Sequence, residues 1–273
     1  MGGAVINDQA IRFDDGAAYE RYMGKWSQLA GESFLRWLAP KAGLRWLDVG
    51  CGNGAFTEMI IERCSPASVH GIDPAEGQIA YARSRPASRV AKFGLGDAMA
   101  LPFPNDSFDV AVMPLVLFFV PEPPKGVAEM ARVVTPGGLV TAYSWDMIGG
   151  GFPYQALQAQ MREMNAIVKA APNPDASRMK VLRELWLGAG LEAVETHEIA
   201  VQRTFADFDD YWTTILKGPS VRPGLAAMTP DNLAKLKYQM RVRLPPDANG
   251  QITCNARANA IRGRVPAAKA AAR

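Results

Sequence analysis

Residues 43–57 read Gly43-Leu44-Arg45-Trp46-Leu47-Asp48-Val49-Gly50-Cys51-Gly52-Asn53-Gly54-Ala55-Phe56-Thr57, and the fold turns on them. Leu44, Trp46, Leu47 and Val49 form the short apolar run of a buried strand, with Asp48 near its C-terminal end. Gly50 to Gly54 then make a turn, and Ala55 to Arg63 reads as a helix. Glycine permits φ > 0 and lets a ligand approach the main chain. The helix behind the turn is expected to aim free N–H groups and its positive dipole end at that place. Strand, glycine turn and helix predict a nucleotide-type site at the carboxyl end of a parallel strand.

The spacing discriminates between ligands. A dinucleotide fingerprint reads G-x-G-x-x-G. Here Gly50, Gly52 and Gly54 read G-x-G-x-G, and Asp48 stands two residues before the first glycine. That acid repels a pyrophosphate and suits a ligand carrying an ammonium group. An ordinary tight βα turn needs one glycine rather than three.

The run Asp48-Val49-Gly50-Cys51-Gly52-Asn53-Gly54 resembles the first motif of class I S-adenosylmethionine (SAM)-dependent methyltransferases, and more closely the small-molecule group of ubiquinone/menaquinone methyltransferase-like proteins. The resemblance covers Arg45 to Trp145. It implies a Rossmann-like α/β fold: a seven-stranded, mostly parallel sheet with an antiparallel last strand and helices on both faces. It also implies one methyltransferase domain over residues 1–273, with a helical lid (15–40), a SAM-binding core (41–148), a helical cap insertion (206–248) and a loose tail (267–273).

Downstream, Ser68 to Ile72 is the second strand, and Asp73 ends it. This acid lies about 20 residues past the glycines, where a carboxylate meets the ribose hydroxyls of a nucleoside. It can accept from both at once. The competing role for Asp73-Pro74 is an N-cap for a helix over 75–84; the glycine turn upstream favours the ribose role. Gln78, one turn into that helix, then faces the adenine edge. Val90 to Leu95 is the third strand, and Gly96-Asp97-Ala98-Met99 with Leu101-Pro102-Phe103 is similar to the family's G-D-A-x-x-L-P-F signature. The resemblance implies that Asp97 accepts from the adenine amino group, that the Ala98 N–H meets a ring nitrogen, and that Met99 packs on the base.

Val110 to Met113 is the fourth strand, and its end is expected to touch the methionine part of the cofactor through backbone groups. The family more often has a polar residue where Met113 and Pro114 stand. A helix over 124–133, a Pro136-Gly137-Gly138 turn and a fifth strand to Trp145 follow. Gly149 to Gly151 reads as a hinge-like break. Helices are expected over 154–169, 176–187, 208–217 and 231–244, and strands over 191–205 and 251–262.

An N-terminal helix over 17–38 carries Tyr19, Tyr22, Met23, Trp26, Leu29 and Ala30 at helical spacing. Two readings stay open: the stripe is core, or Tyr22 and Met23 lie over the cofactor as a lid. Phe119, Trp145, Tyr211 and Trp212 join Tyr22 as candidates for an acceptor pocket. The cofactor candidates are thus Tyr22, Asp48, Gly50, Cys51, Gly52, Asp73, Pro74, Gln78, Asp97, Ala98, Met99 and Met113.

Methyl transfer is an in-line displacement with a good, neutral leaving group. The protein has to align the acceptor and exclude water, so no catalytic base is named. Of the two histidines, His70 and His197 both fall within strands. Cys51, Cys64 and Cys254 form no C-x-x-C, which gives neither a disulfide framework nor a metal site and fits a cytoplasmic setting. No signal peptide or membrane span is read. The net charge is +3, and residues 257–273 hold Arg257, Arg262, Arg264, Lys269 and Arg273 with no acid, so the remainder is close to neutral. A nucleic-acid surface is therefore not expected, and the partner is a small molecule, partly apolar and methylated on O, N or C. The oligomeric state is not read. The alternatives are a SAM-binding module without catalysis, kept open by Met113 and Pro114, and an NAD-dependent oxidoreductase.

Overall fold

The computed structural model describes residues 20–267. The expectations for residues 1–19 and 268–273, Tyr19 and the tail included, lie outside the described residues. In β1 (Arg45–Val49) Trp46 packs against one face of the sheet, and Leu47 and Val49 against the other. Such period-two alternation is what a strand covered on both sides requires. The same alternation runs through β4 (Phe108–Pro114), with Val110 and Val112 on the first face and Ala111 and Met113 on the second. Helices α1 (Lys25–Leu38), α2 (Ala55–Cys64) and α3 (Glu76–Ser84) supply apolar side chains to the first face. Helices α4 (Pro123–Val133) and α6 (Met179–Gly188) supply the second. There Trp186 is anchored by an Nε1–H···O bond to Val140, 2.9 Å.

The other strands are β2 (Ser68–Asp73), β3 (Ala91–Leu95), β5 (Val134–Trp145), β6 (Glu192–Phe205) and β7 (Ile252–Arg264). Among the described residues the seven form one sheet in the order β3-β2-β1-β4-β5-β7-β6. β7 slots antiparallel between β5 and β6, and the other neighbouring pairs are parallel. The order reverses between β1 and β4. That crevice, at the carboxyl ends of parallel strands, is where open α/β sheets bind ligands.

Four local expectations are corrected. Pro136-Gly137-Gly138 does not precede β5 but loops out within it: β4 pairs with Val134 and next with Leu139, and a Cβ at Gly138 would lie 2.5 Å from Val134 Cγ1. The helix expected over 154–169 is α5 (Gln155–Glu163), ended by Asn165 at φ 57° with Ala166 N–H donating to Met161 O. The helix over 176–187 divides into a 3₁₀ turn (Pro174–Ser177) and α6, because Arg178 is extended. Gly149 to Gly151 is pinned rather than hinge-like: Asp146 accepts from Gly149 N–H at 2.7 Å, and Arg257 donates to Asp146 at 2.6 Å and to Gly149 O at 2.8 Å. Between β6 and β7 the chain forms α7 (Phe208–Ile215), α8 (Arg222–Ala226) and α9 (Pro230–Arg243); α8 has no counterpart in the sequence reading.

Candidate active site

Above the carboxyl ends of β1, β2 and β4 lies a cleft of about 930 Å3. Its floor is the glycine turn. Gly50, Gly52 and Gly54 have φ of 76°, 52° and 80°, values that L side chains rarely adopt. A Cβ at Gly50 would meet Val116 at 2.6 Å, whereas one at Gly52 would have only Gln78 Oε1 nearby, at 3.9 Å. Gly50 is thus a packing requirement, and Gly52 opens the main chain to the cleft.

The donors of the turn itself are engaged within the protein. Gly50 and Cys51 N–H both donate to Ile72 O, at 2.8 and 2.9 Å, and Gly54 N–H donates to Cys51 O. Gly52 N–H donates to Asp73 Oδ2 at 3.0 Å and Ala55 N–H to Asn53 Oδ1 at 3.2 Å. A phosphate would find these donors taken. It would also face Glu20, Glu58, Glu62 and Asp73, all of which line the cleft.

Asp73 is held by two backbone donors, Gly52 N–H on Oδ2 and Ala75 N–H on Oδ1. A carboxylate has about four acceptor positions, so two remain for a ligand. Burial pushes its carboxyl above the ordinary aspartate range, and the two backbone bonds pull it back. Ribose acceptor and helix-start acceptor are therefore compatible roles of one side chain.

Asp48 sits beneath the turn at 0% exposure and does not line the cleft. Thr57 Oγ1 donates to its Oδ2 at 2.6 Å, and Oδ1 has no hydrogen-bond partner among the described residues. Burial raises its pKa to about 7, against the Thr57 bond, with the Asp73 charge adding to the rise.

A π-helical turn, Glu20–Gly24, carries the chain from the cleft mouth into α1. Glu20 accepts from Asn53 Nδ2 at 2.7 Å and from Arg85 at 3.3 Å, while Arg85 also donates to Glu58 at 2.8 Å. This ties the turn across the glycine loop. From behind, Tyr154 fixes it: its ring stacks on Tyr22 at 4.6 Å, and its hydroxyl donates to Tyr22 O and accepts from Trp26 Nε1. On the open question about the N-terminal stripe, Tyr22, Met23, Trp26 and Ala30 are buried in the core, and Tyr22 and Met23 border the second cavity rather than the cleft; Gly24, Lys25 and Gln28 line the cleft.

A second cavity of about 320 Å3 adjoins the first. The two share Leu115, Phe119 and Ala170. Leu115 has φ 60°, an unusual conformation for a leucine, fixed by its N–H donating to Tyr143 O at 2.7 Å. Tyr22, Met23, Phe118, Trp145 and Phe152 give the second cavity its apolar surface.

The structure brings together Gly50, Cys51, Gly52, Asp73, Pro74 and Gln78 in the cleft, and Tyr22, Phe119 and Trp145 in the second cavity. It does not bring the other candidates to either. Met113 is buried in the core, while Pro114 beside it lines the cleft. Asp97 is exposed and accepts from Met99 N–H in a local turn, and Ala98 and Met99 pack towards the second face of the sheet. Tyr211 and Trp212 pack among Phe205, Phe208 and Tyr154. From the 206–248 insertion only Pro219 and Ser220, of the described residues, reach the second cavity. Sequence reading missed Glu20, Asn53, Arg85, Arg162 and Lys169, while Leu115, at the end of β4 expected to touch the cofactor, lines the cleft with Pro114. Asn53 stood inside the quoted motif; the others carry no local signal. His197 stacks on Trp37 at 5.3 Å, a structural place. Among the described residues no group of three or more His, Cys, Asp or Glu side chains converges.

Sheet order, switch-point cleft and glycine turn define a Rossmann-like α/β protein with a nucleotide-type cleft. Residues 47–142 match the family described as "Methyltransferase domain". The chain is 35% identical over 111 residues, 39% of its length and 44% of the relative's, to the ubiquinone/menaquinone biosynthesis C-methyltransferase of Dinoroseobacter shibae. It is 32% identical over 137 residues, 50% of its length and 48% of the relative's, to the malonyl-[acyl-carrier protein] O-methyltransferase of Methylococcus capsulatus. The chain thus spans about half the length of these curated relatives. Among solved structures, phosphoethanolamine N-methyltransferase 2 of Haemonchus contortus, in complex with S-adenosyl-L-methionine, has TM-score 0.59 at 18% identity, over 93% of this chain and 57% of that one. That likeness concerns the fold.

Proposed function

We propose that the protein transfers a methyl group from SAM to a small, partly apolar acceptor. One observation carries this reading: an acid-lined cleft, with a glycine floor and a pre-oriented Asp73, opens through a shared wall of Leu115, Phe119 and Ala170 into a largely apolar cavity. The residues present fit SAM. Asp73 has acceptor positions left for a vicinal diol, Gly52 leaves room for close approach, and the acids suit a cationic ligand. Asp97, Ala98, Met99 and Met113 belong to this reading only through the resemblance.

When bound, SAM supplies a methyl carbon on a sulfonium, so that the bond to the acceptor forms as the C–S bond breaks and its electron pair leaves with sulfur. Asp73 orients the nucleoside end. The Glu20–Asn53 and Glu20–Arg85 contacts close the mouth of the cleft. Phe119 and Leu115 stand at the junction where an acceptor would meet the methyl group, and their apolar surface excludes water. A proton released by the acceptor goes to solvent. A cytoplasmic setting is supported by three cysteines that are all free and buried. No helix among the described residues is long and apolar enough to cross a membrane. The comparisons favour neither the nicotinamide reading nor a module without catalysis.

Calorimetric titration of SAM and its demethylated product, S-adenosylhomocysteine, tests the reading. Binding of roughly micromolar order is expected, weakened about 10- to 100-fold in Asp73→Ala. Thermal stabilisation by NADH and not by SAM would overturn it. Transfer of labelled methyl from SAM to any acceptor in cell extract separates an enzyme from a binding module.

A further inference from the structure

The two adjoining cavities differ in charge. The cleft carries Glu20, Glu58, Glu62 and Asp73 against Lys25 and Arg85, and Arg85 is engaged by Glu58 at 2.8 Å and Glu20 at 3.3 Å. In the second cavity the charged residues of the described lining are Arg162 and Lys169, both cations; no Asp, Glu, His or Cys is among them.

The Arg162 guanidinium and the backbone of Lys169 belong to one polar cluster. Arg162 Nη2 donates to Gln158 Oε1 at 3.4 Å, and Gln158 Nε2 donates to Ser220 Oγ at 3.2 Å. Ser220 O accepts from Lys169 N–H at 2.9 Å. Gln158 and Ser220 are each 6% exposed, so the cluster is built into the wall. Arg162 has no carboxylate partner among the described residues; the acid beside it in sequence, Glu163, is engaged by Arg243 at 3.0 Å. Gln155, also in the lining, has a buried Oε1 with no hydrogen-bond partner among the described residues. That oxygen can only accept, so it would take a donor on the body of a ligand, such as a hydroxyl, and not its carboxylate.

We infer that the second cavity binds an organic anion, a carboxylate on an apolar body, with the carboxylate on Arg162 and Lys169 and the body against Phe118, Trp145 and Phe152. The inference rests on reading this cavity as the acceptor site. A guanidinium favours a carboxylate through paired, charge-assisted hydrogen bonds. The aromatic walls alone would equally suit an alkylammonium, but the two cations of the lining, with no acid among its described residues, oppose it. The charges also sort the two ligands, because a cationic cofactor and an anionic acceptor each prefer a different cavity.

The test is calorimetry on the protein loaded with S-adenosylhomocysteine, using octanoate, phenylpropionate and indoleacetate against their primary amides and against phenethylamine. At least one acid should bind about tenfold or more tightly than its amide. Arg162→Gln combined with Lys169→Gln should erase that preference while S-adenosylhomocysteine affinity stays within about twofold, and Arg162→Lys should retain part of it. Arg162 is exposed, and the melting temperature checks that the variants fold. Amides binding as well as acids, phenethylamine binding best, or a double variant that keeps the preference would each overturn the inference. If S-adenosylhomocysteine does not bind, the methyl-transfer reading fails; the same acid–amide comparison, made on the protein alone, still decides the anion preference.

Discussion

The cleft and the cavity beside it are built by different means. Main-chain geometry shapes the cleft: three glycines at positive φ, two N–H groups closing on Ile72 O, and one carboxylate clamped by two more. Side chains shape the cavity, converging from the π-helical turn, the end of β4, the segment from Trp145 to Pro174, and Ser220. A backbone-built floor is set by near neighbours in sequence and tolerates almost no Cβ at Gly50. A side-chain-built cavity depends on distant segments arriving together, so its chemistry can change without disturbing the sheet.

The largest effect expected from a single change concerns the scaffold behind the cavity. Trp212 is 7% exposed, stacks on Phe208 at 6.2 Å and lines neither space. Trp212→Ala should cost about 3–5 kcal/mol in urea unfolding and leave ligand binding by the folded protein intact. A normal unfolding midpoint with a raised acceptor KM would instead place Trp212 in the cavity.

Asp48 gives a pH signature on the cleft side. In the unfolded chain it ionises near 3.8; folded, it keeps its proton to about 7. Between those values the folded state holds the extra proton, so stability falls as pH rises through the window and levels off above it. At about 1.4 kcal/mol per unit the loss is at most about 4 kcal/mol. Asp48→Asn, which still accepts from Thr57, should remove that slope. Parallel wild-type and Asp48→Asn stability curves from pH 4 to 7.5 would show that the group is ionised in the folded protein throughout.

Asp73→Asn separates the two spaces. Loss of the charge should weaken S-adenosylhomocysteine by about 1.5–3 kcal/mol, with carboxylic-acid binding to the second cavity unchanged on the unloaded protein. Equal weakening of both would mean that the cavities form one site.

The smallest effect belongs to the bridge across the mouth. The Glu20 side chain is 39% exposed, so solvent screening holds its contribution to about 0.5–1 kcal/mol. Glu20→Gln should raise the dissociation rate of S-adenosylhomocysteine a few-fold in stopped flow and leave the melting temperature nearly unchanged. An unchanged rate would remove the latch from the cleft.

What could be read in the chain was what near neighbours dictate. G-x-G-x-G after an apolar run required positive φ, and the turn took it. Asp73 ends β2 as its spacing said, and the antiparallel edge appeared as the resemblance implied. The adenine roles that the resemblance implies for Asp97 and Met99 were not legible from spacing: the two form a local turn outside the described lining of the cleft, a place that depends on how β3 sits beyond β2. The N–H groups of the glycine turn itself are taken by Ile72 O and Asp73, acceptors that only strand pairing brings near.

The sequence by itself thus determined the alternating faces of the strands, the glycine floor and the acid at the end of β2, since pleat and φ are properties of a residue and its immediate neighbours. Only the tertiary structure decided that Arg85 meets Glu20, that Leu115 holds a left-handed conformation under Tyr143, and that Arg162 and Lys169 line a cavity with no acid among its described residues. Those meetings follow from the sheet order and from where α5 and the segment after α7 pack, and no spacing within one segment encodes a contact whose partner lies on another.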